Sequence, residues 1–190
     1  MARAGLNTER VTRAGADLAD EVGFDKVTVS GLARRLGVKD ASLYSHVKNS
    51  QDLKVRIALL SLEELADRVA ADIAGRAGRD ALAAFAGAYR DYAREHPGRY
   101  AAAQFPFEPE VAWSSALVRH GQMTRALLRG YDLGEPAETD AVRLLGGTFH
   151  GYVALERCGG FAHTPRSTDE SWERILDALD SLLRSWPSPG

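Results

Sequence analysis

The chain has 190 residues, a single cysteine and a formal net charge of −2. One cysteine excludes an intrachain disulfide and a cysteine-based zinc cluster. No apolar stretch approaches the length needed to span a bilayer, and the first residues lack the apolar core of a signal peptide. We therefore expect a cytoplasmic protein without a membrane partner.

The charge is distributed unevenly along the chain. Residues 1–56 contain 10 Lys or Arg and 7 Asp or Glu, a local charge of +3, and the remaining residues carry −5. A basic segment on an acidic body is expected when only that segment contacts nucleic-acid phosphates. Within it, Arg3 is either an arm residue that reaches a neighbouring groove or an ordinary solvated arginine.

The first predicted helix begins at Thr8, which can cap it, and ends near Val22, where Gly23 stops it. Val11 and Leu18 lie on its predicted inner face. This helix precedes the most informative segment of the chain.

Residues 28–48, TVSGLARRLGVKDASLYSHVK, predict two short helices joined by a tight turn. Leu32, Ala33 and Leu36 recur at helical spacing, and Gly37 then supplies the left-handed conformation that ends a helix. The small Ala33 suits a close crossing of two helices. The pattern is that of a helix-turn-helix. A helical hairpin with an ordinary solvated face is the alternative.

The second helix of this pair, about residues 40–46, is predicted to turn Leu43 and Val47 inward. The outward ridge then consists of three small residues: Ala41, Ser42 and Ser45. Tyr44 and Lys48 flank this ridge, where a phenol and an ammonium can reach phosphates while the short residues approach base edges. Because the ridge has no Arg or Asn, we expect modest direct readout, with specificity dependent on dimer spacing and DNA shape.

The rest of the chain is predicted to be helical with short breaks. A long helix from about Gln51 to near Gly75 carries one apolar stripe. The further helices are expected at residues 79–95, 97–104, 109–131, 137–158 and 169–186. The fold class predicted from these segments is all-α, with about nine helices.

Aromatic and polar-aromatic residues concentrate in the middle of the chain and recur near residue 150. Such a set can line a cavity for a small, flat or apolar ligand, and it can equally be plain core. The candidate ligand-binding residues are Tyr89, Tyr92, His96, Phe105, Phe107, Trp113, Met123, Phe149, His150 and Tyr152.

The last two predicted helices suggest a subunit interface. The final helix has an apolar stripe wider than one neighbour usually needs. Glycines inside the preceding helix indicate either a kink or a close helix crossing, since each costs roughly 1 kcal/mol relative to Ala. The candidate interface residues are Gly147, Gly151, Leu155, Trp172, Ile175, Leu179 and Leu182.

No pattern of residues points to catalysis or to a metal. The five histidines show no i, i+4 pairing, and neither a HExxH motif nor a phosphate-binding glycine loop is present. We therefore expect neither an enzyme nor a metal or cofactor.

The stretch LYSHVKN at residues 43–49, after TVSGLARRLGV at 28–38, resembles the DNA-binding signature of the tetracycline-repressor (TetR) family. The resemblance implies that Thr28 caps the first helix of the motif. The candidate DNA-binding residues are Thr28, Ser30, Lys39, Asp40, Ala41, Ser42, Tyr44, Ser45, His46 and Lys48. In this set Tyr44, His46 and Lys48 would contact phosphates, whereas Ala41 and Ser42 would face bases.

Two positions depart from the family pattern. The family often has Lys where this chain has Ser50, and an acidic residue where it has Gly31. Without Glu at 31, Thr28 has no partner for a capping box.

The C-terminal part also resembles this family. Phe-His-Gly at 149–151 is similar to the Trp-His-Gly element of one TetR-type C-terminal domain, and YAREHPGRYAAAQF at 92–105 fits the same type. The resemblance implies a DNA-binding domain at residues 1–50 and a ligand-binding and dimerisation domain at residues 51–190, in which 51–75 is the connecting helix.

The implied function is that of a homodimeric repressor, released from a palindromic double-stranded DNA operator by a small-molecule effector. Activation instead of repression stays open. The alternative function is a helical ligand-binding protein of the same fold with weak or lost DNA binding.

Overall fold

The computed structural model describes residues 5–187, which contain α-helices, short 3-10 turns and no strand. Arg3, the predicted arm residue, lies outside them. The helices are α1 (Thr8–Val22), α2 (Val29–Leu36), α3 (Asp40–Leu43), α4 (Ser50–Ile73), α5 (Gly78–Glu95), α6 (Pro97–Ala103), α7 (Pro109–Trp113), α8 (Leu117–Leu128), α9 (Ala137–Arg157) and α10 (Thr168–Arg184), with 3-10 turns at Phe24–Lys26 and Arg129–Tyr131. The all-α prediction is confirmed. None of the described helices is long and apolar enough to cross a membrane.

The prediction of one continuous helix at residues 109–131 was wrong. This segment is divided into α7, α8 and a 3-10 turn. The break lies at two serines. The Ser114 hydroxyl donates to the Glu110 carbonyl at 3.0 Å, and the Ser115 hydroxyl donates to the Ala112 carbonyl at 2.8 Å. Serine hydroxyls that bond to nearby backbone compete with helix propagation.

Two smaller predictions also need correction. Asn7, and not Thr8, caps α1: its side-chain oxygen accepts a hydrogen bond from the Arg10 amide at 2.8 Å. Asparagine is among the strongest N-cap residues, so it takes the role from its neighbour. The second helix of the helix-turn-helix is also shorter than the predicted 40–46, since α3 ends at Leu43 and a turn follows.

The chain divides into two compact units. Within the described residues, unit 1 contains 5–65 and 92–117, and unit 2 contains 66–91 and 118–187. The predicted domains, 1–50 and 51–190, stay a prediction about function. These units describe where the chain packs on itself.

The core of unit 1 brings α1, α2, α3 and α4 together with α6. Its central side chains include Val11, Leu32, Leu43 and Ile57, and Ala102 of α6 belongs to the same cluster. Burying one such leucine or isoleucine contributes about 1.5–3 kcal/mol relative to leaving it exposed. The helix-turn-helix is therefore fixed by a core that includes a helix distant in sequence.

Helix α6 meets α1 at very close range. A Cβ added to Gly98 would lie less than 3.0 Å from the carbonyl carbon and oxygen of Ala19. The Asp20 carboxylate accepts hydrogen bonds from the Gly98 and Arg99 amides, both at 2.8 Å, and so satisfies the first turn of α6. Arg99 also pairs with Asp17. Only glycine at position 98 permits this approach.

In unit 2, a buried arginine joins α5 to α9 and α10. Arg90 is 5% exposed, and its Nε donates to Glu156 Oε2 at 2.9 Å while its Nη2 donates to Glu156 Oε1. Its Nη2 also lies 2.8 Å from an Asp169 carboxylate oxygen. The guanidinium stacks on the rings of Tyr152 and Trp172, at 5.6 and 5.1 Å from their centroids. The group is thus both charge-paired and packed against aromatic rings.

Candidate nucleic-acid interface

Helix α2 has the N-cap and the C-cap that its sequence predicts. The Thr28 side-chain oxygen accepts a hydrogen bond from the Gly31 amide at 3.0 Å, so the implied cap is present. Gly37 adopts a left-handed conformation with φ of 65°, and the Val38 amide then donates to the Ala33 carbonyl at 3.0 Å. This C-cap turns the chain sharply into α3.

The orientation predicted for α3 is confirmed by burial. Leu43 and Val47 are buried, whereas Ala41, Ser42 and Ser45, the α3 ridge, are exposed. The Ser45 hydroxyl donates to the Ser42 carbonyl at 3.0 Å and continues the turn beyond the short helix. The ridge is therefore presented to solvent by apolar anchors on its opposite side.

The predicted phosphate-contacting groups lie around this ridge. Tyr44 is 55% exposed, Lys48 is exposed, and His46 is partly buried. A half-exposed tyrosine hydroxyl and an exposed ammonium four residues further along the chain can both contact an anion. Their contacts with DNA stay a prediction.

The start of α4 carries a reciprocal cap that sequence reasoning missed. The Asn49 side-chain oxygen accepts from the Asp52 amide at 2.8 Å, and the Asp52 carboxylate accepts from the Lys48 amide at 2.9 Å and from Arg56 Nε at 3.1 Å. Burial raises the pKa of Asp52, but the Lys48 amide and Arg56 outweigh it, so the net pKa is lowered. The spacing of Asn49 and Asp52 was the available signal. The cap fixes the backbone of Lys48.

A hydrogen bond joins α2 to α3 on the exposed side of the helix-turn-helix. The Ser30 hydroxyl donates to Oδ2 of Asp40, the first residue of α3. Both side chains are exposed. The contact ties the start of α3 to the first turn of α2.

The candidate ligand-binding residues do not lie in one unit. Tyr92, His96, Phe105, Phe107 and Trp113 belong to unit 1. The Phe105 ring packs edge-on against Phe24 at 5.7 Å between centroids, and Trp113 is 79% exposed. Proximity in sequence around residue 100 therefore grouped side chains with different surroundings.

Two of these unit 1 residues have polar partners within the unit. The Tyr92 hydroxyl donates to Glu64 Oε2 at 3.1 Å, and burial together with the Glu64 charge raises the pKa of Tyr92. His96 Nδ1 lies 3.3 Å from an Asp20 carboxylate oxygen. Both therefore take part in the packing of α4, α5 and α6 with α1.

The other five candidates, Tyr89, Met123, Phe149, His150 and Tyr152, belong to unit 2. A hydrogen bond of 2.7 Å joins the Tyr89 hydroxyl to Nδ1 of His120, and the Tyr89 and His150 rings meet at 5.6 Å. His120 is buried and was absent from the candidate set, since a single histidine in α8 gives no pattern. Three helices thus contribute one polar-aromatic group.

This group makes unit 2 sensitive to acid. Burial lowers the pKa of His150 from its ordinary value of 6.5, and His120 lowers it further. Because the folded state binds the proton less well than the unfolded chain, the free energy of unfolding falls as pH drops below about 6.5. We expect His150→Gln to flatten that decline in urea titrations between about pH 7.5 and 5.5.

His163 provides the control for this experiment, because it is exposed in the loop between α9 and α10. We expect His163→Gln to keep the pH dependence of the unmodified chain. An equal slope in the His150→Gln variant would contradict the role assigned to His150.

The candidate interface residues of α9 and α10 fall into two groups. Gly147 and Gly151 are exposed with open space at their Cβ positions, and Leu155 and Leu182 are 49% and 39% exposed. Ile175 is partly buried. These positions leave apolar surface available to a second chain.

Two of the candidate interface residues are buried within the chain itself, so their part in a subunit interface stays a prediction. Trp172 and Leu179 are 3% and 7% exposed and belong to the packing of unit 2. The Trp172 ring lies 4.8 Å from Tyr152 and 5.8 Å from Phe149 between centroids. The stripe on α10 is wide because one side of it faces the chain's own α9.

A capped α2, a glycine turn and an exposed α3 held by buried leucine and valine define a helix-turn-helix protein. The family model described as "Bacterial regulatory proteins, tetR family" matches residues 11–53, and that described as "Tetracyclin repressor-like, C-terminal domain" matches residues 82–179. The chain belongs to the TetR family of transcriptional regulators.

Individual relatives agree with this assignment. The chain is 35% identical over 161 residues, 82% of its length and 72% of the relative, to the uncharacterized HTH-type transcriptional regulator Rv0681 of Mycobacterium tuberculosis. It is 28% identical over 180 residues, 95% of its length and 88% of the relative, to the uncharacterized HTH-type transcriptional regulator YobS of Bacillus subtilis.

A solved structure with the same fold is a TetR variant from Acinetobacter baumannii AYE in complex with minocycline. It superposes with a TM-score of 0.71 at 24% identity and covers 97% of this chain and 100% of that chain. At this identity, the likeness supports the fold.

Proposed function

We propose that the chain is a homodimeric, ligand-responsive repressor that binds a palindromic operator and releases it when a small molecule binds the C-terminal domain, residues 51–190. The observation that carries this proposal is the α3 ridge, exposed on α3 and on the turn that follows it, with Leu43 and Val47 as buried anchors on the opposite side. Membership in a family of transcriptional regulators favours a role without catalysis.

The DNA-binding part of the proposal rests on exposure and charge. The ridge is narrow enough to approach base edges in a major groove, while Tyr44, His46 and Lys48 contact phosphates beside it. The +3 charge of residues 1–56 supports attraction to a polyanion, although the whole chain is negative.

The dimeric part rests on the outer face of α9. Gly147, Gly151 and Leu155 recur four residues apart, and the open space beside both glycines lets the backbone of a second copy approach closely. Leu182 and Ile175 of α10 add apolar surface. A two-fold dimer places its recognition helices on half-sites about 34–36 Å apart, which matches a palindrome.

The effector-binding part rests on unit 2. Tyr89, His150 and His120 supply polar groups among the aromatic side chains of α5, α8 and α9. The Acinetobacter protein of the same fold is described in complex with minocycline, and the effector proposed for this chain is likewise a small molecule. An effector with a coupling energy of about 1–3 kcal/mol weakens operator binding roughly 5- to 150-fold.

Operator binding tests the proposal through Tyr44→Phe and Lys48→Ala. Fluorescence anisotropy against DNA from upstream of the gene should show tight, salt-dependent binding by the unmodified chain. We expect Tyr44→Phe to lose about tenfold in affinity for every sequence, since one hydrogen bond to a phosphate is removed. Lys48→Ala should also reduce the slope of log affinity against log salt by about one.

Arg166→Ala is the matched control, because Arg166 is an exposed cation in the loop between α9 and α10. Its affinity and salt slope should equal those of the unmodified chain. Unchanged affinity in Tyr44→Phe would refute the phosphate contact. Absence of specific binding at low salt in the unmodified chain would refute the repressor function.

A further inference from the structure

The exposed side of the helix-turn-helix carries an anion where contact with DNA is proposed. Asp40 is the first residue of α3 and is exposed beside the α3 ridge. Within residues 5–187 no ion pair involves Asp40, and its Oδ2 accepts the hydrogen bond from the Ser30 hydroxyl. A carboxylate near phosphates is repelled unless it meets a hydrogen-bond donor.

The Asp40 carboxylate is held in a defined position. Its Oδ2 accepts the hydrogen bond from the Ser30 hydroxyl, and Ser30 lies in the first turn of α2, which Thr28 caps. The Leu32 and Leu43 side chains fix both helices in the core of unit 1. The hydrogen bond therefore restricts rotation of the Asp40 side chain, and the two helices that carry the pair are anchored in the core.

The donors exposed in a major groove are few. Cytosine offers its N4 amino group, and adenine offers its N6 amino group beside the N7 acceptor. The second oxygen of a carboxylate would face adenine N7, an acceptor, and be repelled by it. Cytosine has no acceptor of its own on that edge, so a carboxylate favours cytosine.

We propose that Asp40, positioned by Ser30, reads the amino group of a cytosine at one position in each half-site of the operator. The inference rests on the proposed function and names the base that this face selects. It also assigns a direct base contact to a segment whose exposed ridge, Ala41, Ser42 and Ser45, offers short side chains only.

Selection from a randomised palindromic DNA library with the full chain tests the inference. The unmodified protein should enrich cytosine at one symmetric pair of positions. Asp40→Asn should move the preference at that pair to adenine, because a carboxamide pairs with both N6 and N7. The loss of discrimination for cytosine should be about tenfold, within roughly 5- to 150-fold.

Ser30→Ala separates positioning from base contact. It should keep cytosine as the preferred base but lower the enrichment ratio at that pair alone, because the carboxylate is no longer oriented. Lys39→Ala, at the neighbouring exposed cation, should weaken binding to all sequences and leave the ratio unchanged. Thermal unfolding of each variant confirms that the fold is kept.

The outcomes separate this inference from the function on which it rests. If the unmodified chain enriches no sequence, the proposed function fails. If it enriches an operator and Asp40→Asn enriches the same bases in the same ratios, the role of Asp40 is overturned while the function stands. If Asp40→Asn weakens binding to all sequences equally, the base contact is overturned as well.

Discussion

Replacing Gly98 by alanine should destabilise unit 1 by about 3 kcal/mol, at the upper end of the usual cost of overpacking. The new Cβ would lie within 3.0 Å of backbone atoms of Ala19 and Asp20, which cannot rotate away as a side chain can. Helix α6 would have to move from α1 and would lose the hydrogen bonds that Asp20 accepts from the Gly98 and Arg99 amides.

Helix propensity alone predicts the opposite sign, because alanine is favoured over glycine by about 1 kcal/mol within a helix. Gly87→Ala is the matched control, since Gly87 lies inside α5 and nothing lies within 4 Å of its Cβ position. We expect that variant to be as stable as the unmodified chain or more stable. Urea denaturation measures both, and equal stability of the two variants would contradict the close α1–α6 contact.

Arg90→Ala should cost about 3–5 kcal/mol, because the largely buried Glu156 carboxylate would lose the two hydrogen bonds that it accepts from the guanidinium. The Glu156 side chain is 13% exposed, and the lost guanidinium also packs against the rings of Tyr152 and Trp172. Replacing both Arg90 and Glu156 by leucine should recover part of the loss, since removing the two together leaves no buried charge of that pair, and Asp169 is largely exposed.

Arg79→Ala provides the comparison for this prediction. Arg79 lies on the same helix and also pairs with two carboxylates, at 2.8 and 2.9 Å, but its side chain is 33% exposed and those of Glu173 and Asp177 are 61% and 49% exposed. Exposed pairs contribute about 0–1 kcal/mol. If thermal and urea unfolding give Arg90→Ala no larger loss than Arg79→Ala, the buried pair does not fasten α5 to α9 and α10.

The parts of the structure that were predictable are those set by local rules. The glycine turn at Gly37 and the inward positions Leu43 and Val47 follow from helix periodicity and backbone freedom, which are properties of a few neighbouring residues. Two adjacent serines can indicate a helix break, as at Ser114 and Ser115. The apolar periodicity of a helix continues across them, however, and so favoured a single helix.

The unpredictable parts depend on contacts between distant segments. Nothing near Gly98 indicates that Ala19 lies against it, and nothing near His120 indicates that Tyr89 is its partner. The candidate ligand-binding residues do not form a single group for the same reason. The sequence shows that Phe105 is apolar, but it does not show that Phe24 is its neighbour. A side-chain hydrogen bond between two helices, such as that of Ser30 and Asp40, also cannot be predicted from local sequence and is seen only in the structure.

The place of α6 in the core of unit 1 has a consequence for biosynthesis. Ala102 and the contact of Gly98 with α1 complete a core whose other buried members lie between Val11 and Ala58. About forty further residues must therefore be synthesised after Ala58 before this core can close. Contacts so far apart in sequence raise the loop-closure cost and slow folding. The DNA-binding surface is therefore expected to mature only after α6 has left the ribosome, and a chain cut before residue 97 should expose the apolar side of α1.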